Sequence, residues 1–249
     1  MKDRIKFIPI MKPQAARKPP EDEGWVHEIK HDGYRTQLVI DSGGVRAFSS
    51  SGLDWTSKYQ GIVAEATKLE CQSAILDGEM IVNDERGVSN FGMLPKAIKH
   101  SPGSLIFMAF DLLHLDGKDL RGRPLLKRKE LLEALLEDHH GAIRYSEHLQ
   151  TGGQEFFEAC ERLGLEGMVS KQIDSTYKSG PSRTWLKIKC YEVGDFNVLG
   201  TKFTKTGEYV AMLGSRETGK YAGVAFVNLK QAERRAFNEF VSLLQTETK

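Results

Sequence analysis

The sequence predicts an α+β protein, with antiparallel sheets flanked by outer helices and a short C-terminal piece of different texture. Three observations predict it. Short apolar runs recur from Trp25 to Lys189, separated by Gly, Asp and Ser turn signals. Helical periodicity within that stretch is confined to Lys129 to His139 and Gln154 to Leu163. After Cys190 the runs become sparser and end in one amphipathic stretch.

The elements follow in order. Met11 to Glu23 carries Pro13, Pro19 and Pro20 and reads as an extended arm. Trp25 to Lys30 is a short strand. Thr36 to Ile40 and Val45 to Phe48 flank Asp41-Ser42-Gly43-Gly44, a hairpin signal. Leu76 to Val82 and Leu105 to Leu113 have the length and apolarity of buried strands. In the first helix Leu131, Leu132, Leu135 and Leu136 form one stripe. The second repeats the pattern with Phe156, Phe157, Cys160 and Leu163, and Gly164 is its stop. Met168 to Lys171 and Trp185 to Lys189 are strands. Beyond a boundary placed near Tyr191 to Gly194, strands are expected at Phe196 to Lys202, Tyr209 to Leu213 and Gly223 to Val227. A helix from Lys230 to Gln245 should turn Phe237, Phe240, Val241 and Leu244 inward. The resulting domains are 1–190 and 191–249, the second marginal for a core of its own.

Composition excludes several classes. At 40% hydrophobic and 28% charged residues the chain is neither disordered nor fibrous. No apolar run approaches the ~20 residues of a membrane span, and the basic, Pro-rich N-terminus has no apolar core for a secretory signal. Cys71, Cys160 and Cys190 are scattered, which reads as reduced cytoplasmic thiols, without a disulfide frame or zinc site. A net charge of +1 makes no bulk case for nucleic acid. Local basic runs at Arg121 to Lys129 and Lys171 to Lys189 are either solvated faces or anion sites.

Chemistry concentrates in Lys30-His31-Asp32-Gly33-Tyr34-Arg35. A lysine at a strand end, followed by an acid, a glycine and an arginine, suits covalent attack on phosphorus. Gly33 allows either close backbone approach to a ligand or positive φ, and Arg35 offers a planar fork to phosphate. Asp77, Glu79 and Ile81 share one strand face; Glu79 is a ribose acceptor or a plain surface acid. Phe110 is a purine-stacking ring or simply core. Glu166 is a solvated acid or a Mg²⁺ ligand beside a triphosphate. In Trp185-Leu186-Lys187-Ile188-Lys189 strict alternation projects Lys187 and Lys189 to one face, where two ammoniums favour an intervening anion.

In their order these segments resemble the covalent nucleotidyltransferase superfamily of ATP-dependent DNA ligases, RNA ligases and capping enzymes. Phe110-Asp111-Leu112-Leu113-His114-Leu115-Asp116-Gly117 and Pro124 to Arg128 look most like bacterial end-joining DNA ligases. The resemblance implies an ATP-grasp-like adenylation domain followed by a partial OB-like segment. It implies Lys30 as the AMP-accepting nucleophile, Glu28 at the adenine pocket and Glu79 at the ribose. Phe110 would stack on adenine, Arg35 would contact AMP or the 5′-phosphate of a nick, and Lys187 and Lys189 would hold phosphates, with Arg35 and Lys187 also touching DNA. Glu166 would hold the metal. ATP and Mg²⁺ are the implied cofactors. The implied substrate is nicked double-stranded DNA, sealed during repair or recombination by a cytoplasmic, nucleoid-associated monomer that an end-binding or repair partner could recruit.

Two departures stand out. Ser50 replaces an arginine usual in relatives of Ser49 to Thr56, and no match to the family's C-terminal basic motif precedes Lys249. They leave open a degenerate ligase that binds DNA ends or a repair partner without sealing, and RNA ligation or capping remains a further alternative.

Overall fold

The computed structural model describes residues 4–191 and 194–246, apart from several side chains of the last helix. The chain divides into two compact units, Met1–Tyr191 and Glu192–Lys249.

The first unit contains, in chain order, β1 (Met11–Ala15), β2 (Trp25–Ile29), β3 (Tyr34–Asp41), β4 (Gly44–Ser49), α1 (Gln60–Ala66), β5 (Ala74–Ile81), α2 (Leu94–His100), β6 (Ile106–Leu115), β7 (Lys118–Asp119), α3 (Leu125–Leu136), β8 (Ile143–Tyr145), β9 (His148–Leu149), α4 (Gly153–Arg162), β10 (Gly167–Gln172) and β11 (Gly180–Lys189). They build two sheets, one ordered β1-β11-β10-β2-β9 and the other β4-β3-β5-β6-β7 with β8 added to β6. The expected antiparallel pairing holds through most of each sheet. Both sheets are nevertheless mixed, because β1 joins β11 and β8 joins β6 in parallel. The proline-bearing arm thus contributes an edge strand, the position where a missing N–H is tolerated.

Apolar side chains from both sheets, Met11, Val26 and Trp185 against Val39, Ile75 and Leu113, form one core. The opposite face of the β3–β5–β6 sheet packs Leu38, Leu76 and Phe107 against α1, α2 and α3. The opposite face of the other sheet packs Met168 and Ile188 against Cys160 of α4. Helices therefore lie outside two facing sheets. Burial of alternate strand residues on both faces is what drives this layering.

Several expectations need correction. The helix read at Lys129 begins at Leu125, and its Arg128 and Lys129 are fully buried, whereas Arg123 and Lys127 of the same basic run are solvated. Arg128 grips Asp111 through two bonds of 2.7 and 2.8 Å and donates to the carbonyls of Arg123 and Ser175. Leu163, expected inward, is 63% exposed just past the end of α4. Gly164 does stop that helix, at φ +66°. The short helices α1 and α2 were not anticipated. Their seven residues each are too few for a distinct helical period.

The second unit is an antiparallel sheet of β12 (Phe196–Phe203), β13 (Tyr209–Ser215) and β14 (Tyr221–Phe226), followed by α5 (Gln231–Thr246). Val241 is buried, but Phe240 is 60% exposed, contrary to the inward face read from the sequence. Leu244 lies outside the described side chains.

Candidate active site

The two sheets of the first unit separate at one end into a cleft of about 480 Å³, open mouth included. One wall comes from β2, β10 and β11 with Glu28, Lys171 and Trp185; the other comes from β3, β5 and β6 with Arg35, Glu79 and Phe110.

Lys30 sits where β2 ends, its amide donating to the Gly167 carbonyl at 3.0 Å. The register pairs Met168 with Ile29 and Gly167 with Lys189, so Lys30, Glu166 and Lys189 occupy adjoining strand ends. Lys30 Nζ donates to Glu166 Oε2, and Lys189 Nζ lies 2.9 Å from Oε1. Burial alone would raise the Glu166 pKa, but the two ammoniums bring it below the usual carboxylate value. This tight juxtaposition depends on Gly167. A Cβ there would lie 2.1 Å from the Ile188 carbonyl oxygen, and its φ of +140° is unsuited to other residues.

Gly33 has a related purpose, different from either expected from the sequence. Its φ is not left-handed, and an added Cβ would meet the Met80 carbonyl oxygen at 2.2 Å. The glycine lets the nucleophile loop lie flat on β5, not on a ligand.

Glu28 lines the cleft but is 2% exposed, with Oε2 2.7 Å from Lys171 Nζ and Oε1 2.8 Å from Lys129 Nζ. Burial would raise its pKa; the two lysines outweigh that and lower it. Burial brings the Lys171 pKa down to about 8 in spite of Glu28. The Lys171 ammonium also lies 4.3 Å from both the Phe110 and Trp185 ring centroids. Arg35 forks onto Asp77 at 2.7 and 2.8 Å, and its guanidinium carbon is 4.5 Å from the Phe110 centroid. Tyr177 donates to the same Asp77 at 2.6 Å. Nη1 of Arg35 makes no hydrogen bond among the described residues and is left for an incoming acceptor. Phe110, expected to stack on a purine, therefore has two cations and the edge of Trp185 as its neighbours here.

Glu79 makes no hydrogen bond or ion pair among the described residues, and burial raises its pKa to about 8 against the pull of Arg35 and Lys30. His31, also in the cleft wall, is held neutral, its pKa lowered to about 4 by burial first and by Lys171 and Lys30 after. The alternation read in β11 is borne out, since Leu186 and Ile188 pack on the α4 side. Lys189 reaches Glu166. Lys187 lies outside the cleft lining and has no ion-pair partner among the described residues.

Seven of the eight residues singled out from the sequence are thus brought to the cleft or its mouth; Lys187 is not. Sequence reading missed Lys129, Lys171, His31, Asp77, Tyr177 and Trp185 as parts of the site. For Lys171 a signal existed, the strand period that sets it on the same face as Val169. Lys129 had none, because helix α3 meets Glu28 only in the folded chain.

No group of three or more His, Cys, Asp or Glu side chains among the described residues can hold a metal ion. Glu166 fits a magnesium ion that would arrive on nucleotide phosphates, since this ion commonly takes one or two carboxylates and completes its shell with phosphate and water.

Residues 11–189 match the family model described as the ATP dependent DNA ligase domain. The chain belongs to this family. It is 36% identical over 184 residues to the Multifunctional non-homologous end joining protein LigD of Pseudomonas aeruginosa, covering 73% of this chain and 22% of that protein. It is 31% identical to the LigD of Mycobacterium bovis, covering 90% of this chain and 30% of that one. The chain thus spans less than a third of the length of these relatives. The ligase domain from M. tuberculosis LigD superposes with a TM-score of 0.64 at 29% identity, over 93% of this chain and 76% of that structure. A mycobacterial DNA ligase D complexed with ATP and MES gives a TM-score of 0.66 at 27% identity, over 94% and 77%. The α+β fold is that of ligase adenylation domains, and the family's nucleotide is ATP.

Proposed function

We propose that this chain joins DNA strands through a covalent Lys30–AMP intermediate, in break repair of the end-joining kind. The observation that carries the reading is the Lys30–Glu166–Lys189 cluster beside a cleft lined by Glu28, Arg35, Glu79 and Phe110. Lys30 Nζ gives up one proton to solvent before it attacks the α-phosphorus of ATP and a second as the phosphoramidate forms. A P–N bond forms, the P–O bond to pyrophosphate breaks, and pyrophosphate leaves. An oxygen of the DNA 5′-phosphate then attacks that phosphorus and releases Lys30. Finally the 3′-hydroxyl loses its proton, attacks the 5′-phosphorus and expels AMP. Preorganised cations make such steps a matter of position and charge neutralisation.

In this reading Glu28 accepts from the adenine amine, Phe110 packs on the base, Glu79 holds the ribose and Lys189 the nucleotide phosphates. Arg35 through its free Nη1, and Lys187 beyond the cleft, face nicked duplex DNA. Glu166 would hold magnesium together with the nucleotide phosphates, where the ion would neutralise part of the triphosphate charge. The first unit is the adenylation domain and the second a partial OB-like segment. We place the enzyme in the cytoplasm on the nucleoid, acting as a monomer that an end-binding repair partner recruits. Among the described residues no helix is long and apolar enough to cross a membrane.

The test is incubation with labelled ATP or GTP. Wild type should form an acid-labile, alkali-stable AMP adduct, as a P–N bond requires, while Lys30→Ala and Lys30→Arg form none, since a guanidinium does not give up its proton near neutral pH. A GMP adduct would point to capping chemistry. Full adduct yield in either variant would remove Lys30 from the mechanism, and no adduct in wild type would leave a DNA-binding module.

A further inference from the structure

The loop between β5 and α2 contains an arginine that the steps above do not use. Its ends are closed by a bridge between Asn83 and Ser89. Asp84 accepts from the backbone amides of Arg86 and Val88 at 2.9 and 3.0 Å, so the turn is held without help from the Arg86 side chain. The same loop is tied to the nucleophile segment. Asp32 N donates to Ser89 Oγ at 3.0 Å, and Phe91 N donates to Asp32 Oδ2 at 3.1 Å.

From this anchored position Arg86 approaches the turn between α4 and β10. An added Cβ at Gly164 would lie 3.9 Å from Arg86 Nη1, and Gly164 is two residues from Glu166. The guanidinium therefore lies beside the turn that leads from α4 into Glu166. Its side chain is 72% exposed and its single ion partner is Asp84 at 3.1 Å. An exposed pair of that kind adds little to stability. Glu166 pairs with Lys30 and Lys189, and among the described residues Arg86 makes no ion pair with it. Nε and Nη2 of Arg86 both donate to Asp84 at 3.1 Å, which orients the guanidinium and leaves Nη1, on the Gly164 side, as an exposed donor of the kind that binds an oxyanion.

We propose that Arg86 binds a phosphate group at the cleft mouth, on the triphosphate tail of the nucleotide or on the DNA 5′ end. The inference rests on the nucleotidyl-transfer reading of this cleft, but its test does not need the covalent step. Wild type, Arg86→Ala and Arg86→Lys are titrated at low salt with inorganic tripolyphosphate and with nicked duplexes bearing a 5′-phosphate or a 5′-hydroxyl. Arg86→Ala should bind one phosphate probe about tenfold more weakly, the low end for a bond to a charged group. Arg86→Lys should recover part of the loss, and thermal midpoints should match. A loss on tripolyphosphate assigns the nucleotide tail; a loss confined to the 5′-phosphorylated nick assigns the DNA end. Unchanged binding in Arg86→Ala overturns the proposal, as does failure of wild type to bind any probe. Equal loss on both nicks with none on tripolyphosphate also overturns it, because a general backbone contact would explain it, and so does a loss accompanied by a lowered midpoint. If wild type forms no adduct while the Arg86 effect persists, the Lys30 reading fails and the phosphate site stands.

Discussion

Replacing Glu28 by glutamine removes one charge and almost no volume, yet it should be among the costliest single changes in this chain. The carboxylate separates two buried ammoniums, Lys171 at 2.7 Å and Lys129 at 2.8 Å, with the lysine side chains 2% and 0% exposed. Removing the shared partner of a buried ion pair costs about 3–5 kcal/mol, because the remaining charge is left in a poorly solvated site. Here two charges are stranded. For a unit of this size each kcal/mol lowers the midpoint by ~2–4 °C, so the expected drop is about 6–20 °C. Tryptophan fluorescence is the suitable readout, since Trp25, Trp55 and Trp185 all lie in the first unit. The deficit should also depend on pH. Lys171 has a folded pKa of about 8, below its ordinary 10.5, so the unfolded chain binds more protons between those values and wild-type stability rises with pH across that window. Without Glu28 the Lys171 pKa falls further and the penalty belongs to protonated lysine, so the gap between variant and wild type should narrow as pH rises towards 8 and stay level above it. Adding Lys129→Met to Glu28→Gln should restore part of the loss by removing one stranded charge. A midpoint within about 2 °C of wild type at pH 7 would refute the reasoning. It would mean that water or rotation relieves both lysines, and that Glu28 serves the nucleotide alone.

Two other perturbations test the site. Glu79→Gln removes a carboxyl whose folded pKa of about 8 exceeds its ordinary 4.5. Stability from that group is present below pH 4.5 and lost as pH rises through 8, so the variant should gain on wild type between pH 5 and pH 9. The bound from 1.36 kcal/mol per pH unit is about 5 kcal/mol, reduced to about 1–2 by water in the open cleft; parallel thermal melts with no gain at pH 9 would contradict it. Gly33→Ala places a methyl 2.2 Å from the Met80 carbonyl oxygen and should cost about 1–3 kcal/mol while slowing adduct formation, because the loop carrying Lys30 must lift from β5. Unchanged stability and adduct rate would show that the loop shifts freely.

Much of the first unit was legible in the chain because its signals are local. The hairpin at Asp41 to Gly44 needs only the turn residues between two apolar runs, and the alternation of Leu186, Lys187, Ile188 and Lys189 needs only the two-residue period of a strand. The motif around Lys30 is likewise contiguous, so its chemistry could be read before any fold was known. What only the tertiary structure decided concerns charge and close approach between distant segments. Arg128 and Lys129 look like surface cations in sequence, and become buried because α3 packs onto β6 and meets Asp111 and Glu28. Glu28 and Lys171 meet across a separation of 143 residues. Gly33 is needed for its contact with β5, and Arg86 gains its place from a loop tied to Asp32. The physical reason is the same in each case. Periodicity is a property of neighbouring residues, whereas the cost of a charge or a methyl group is set by the desolvation and packing of whatever the fold brings against it.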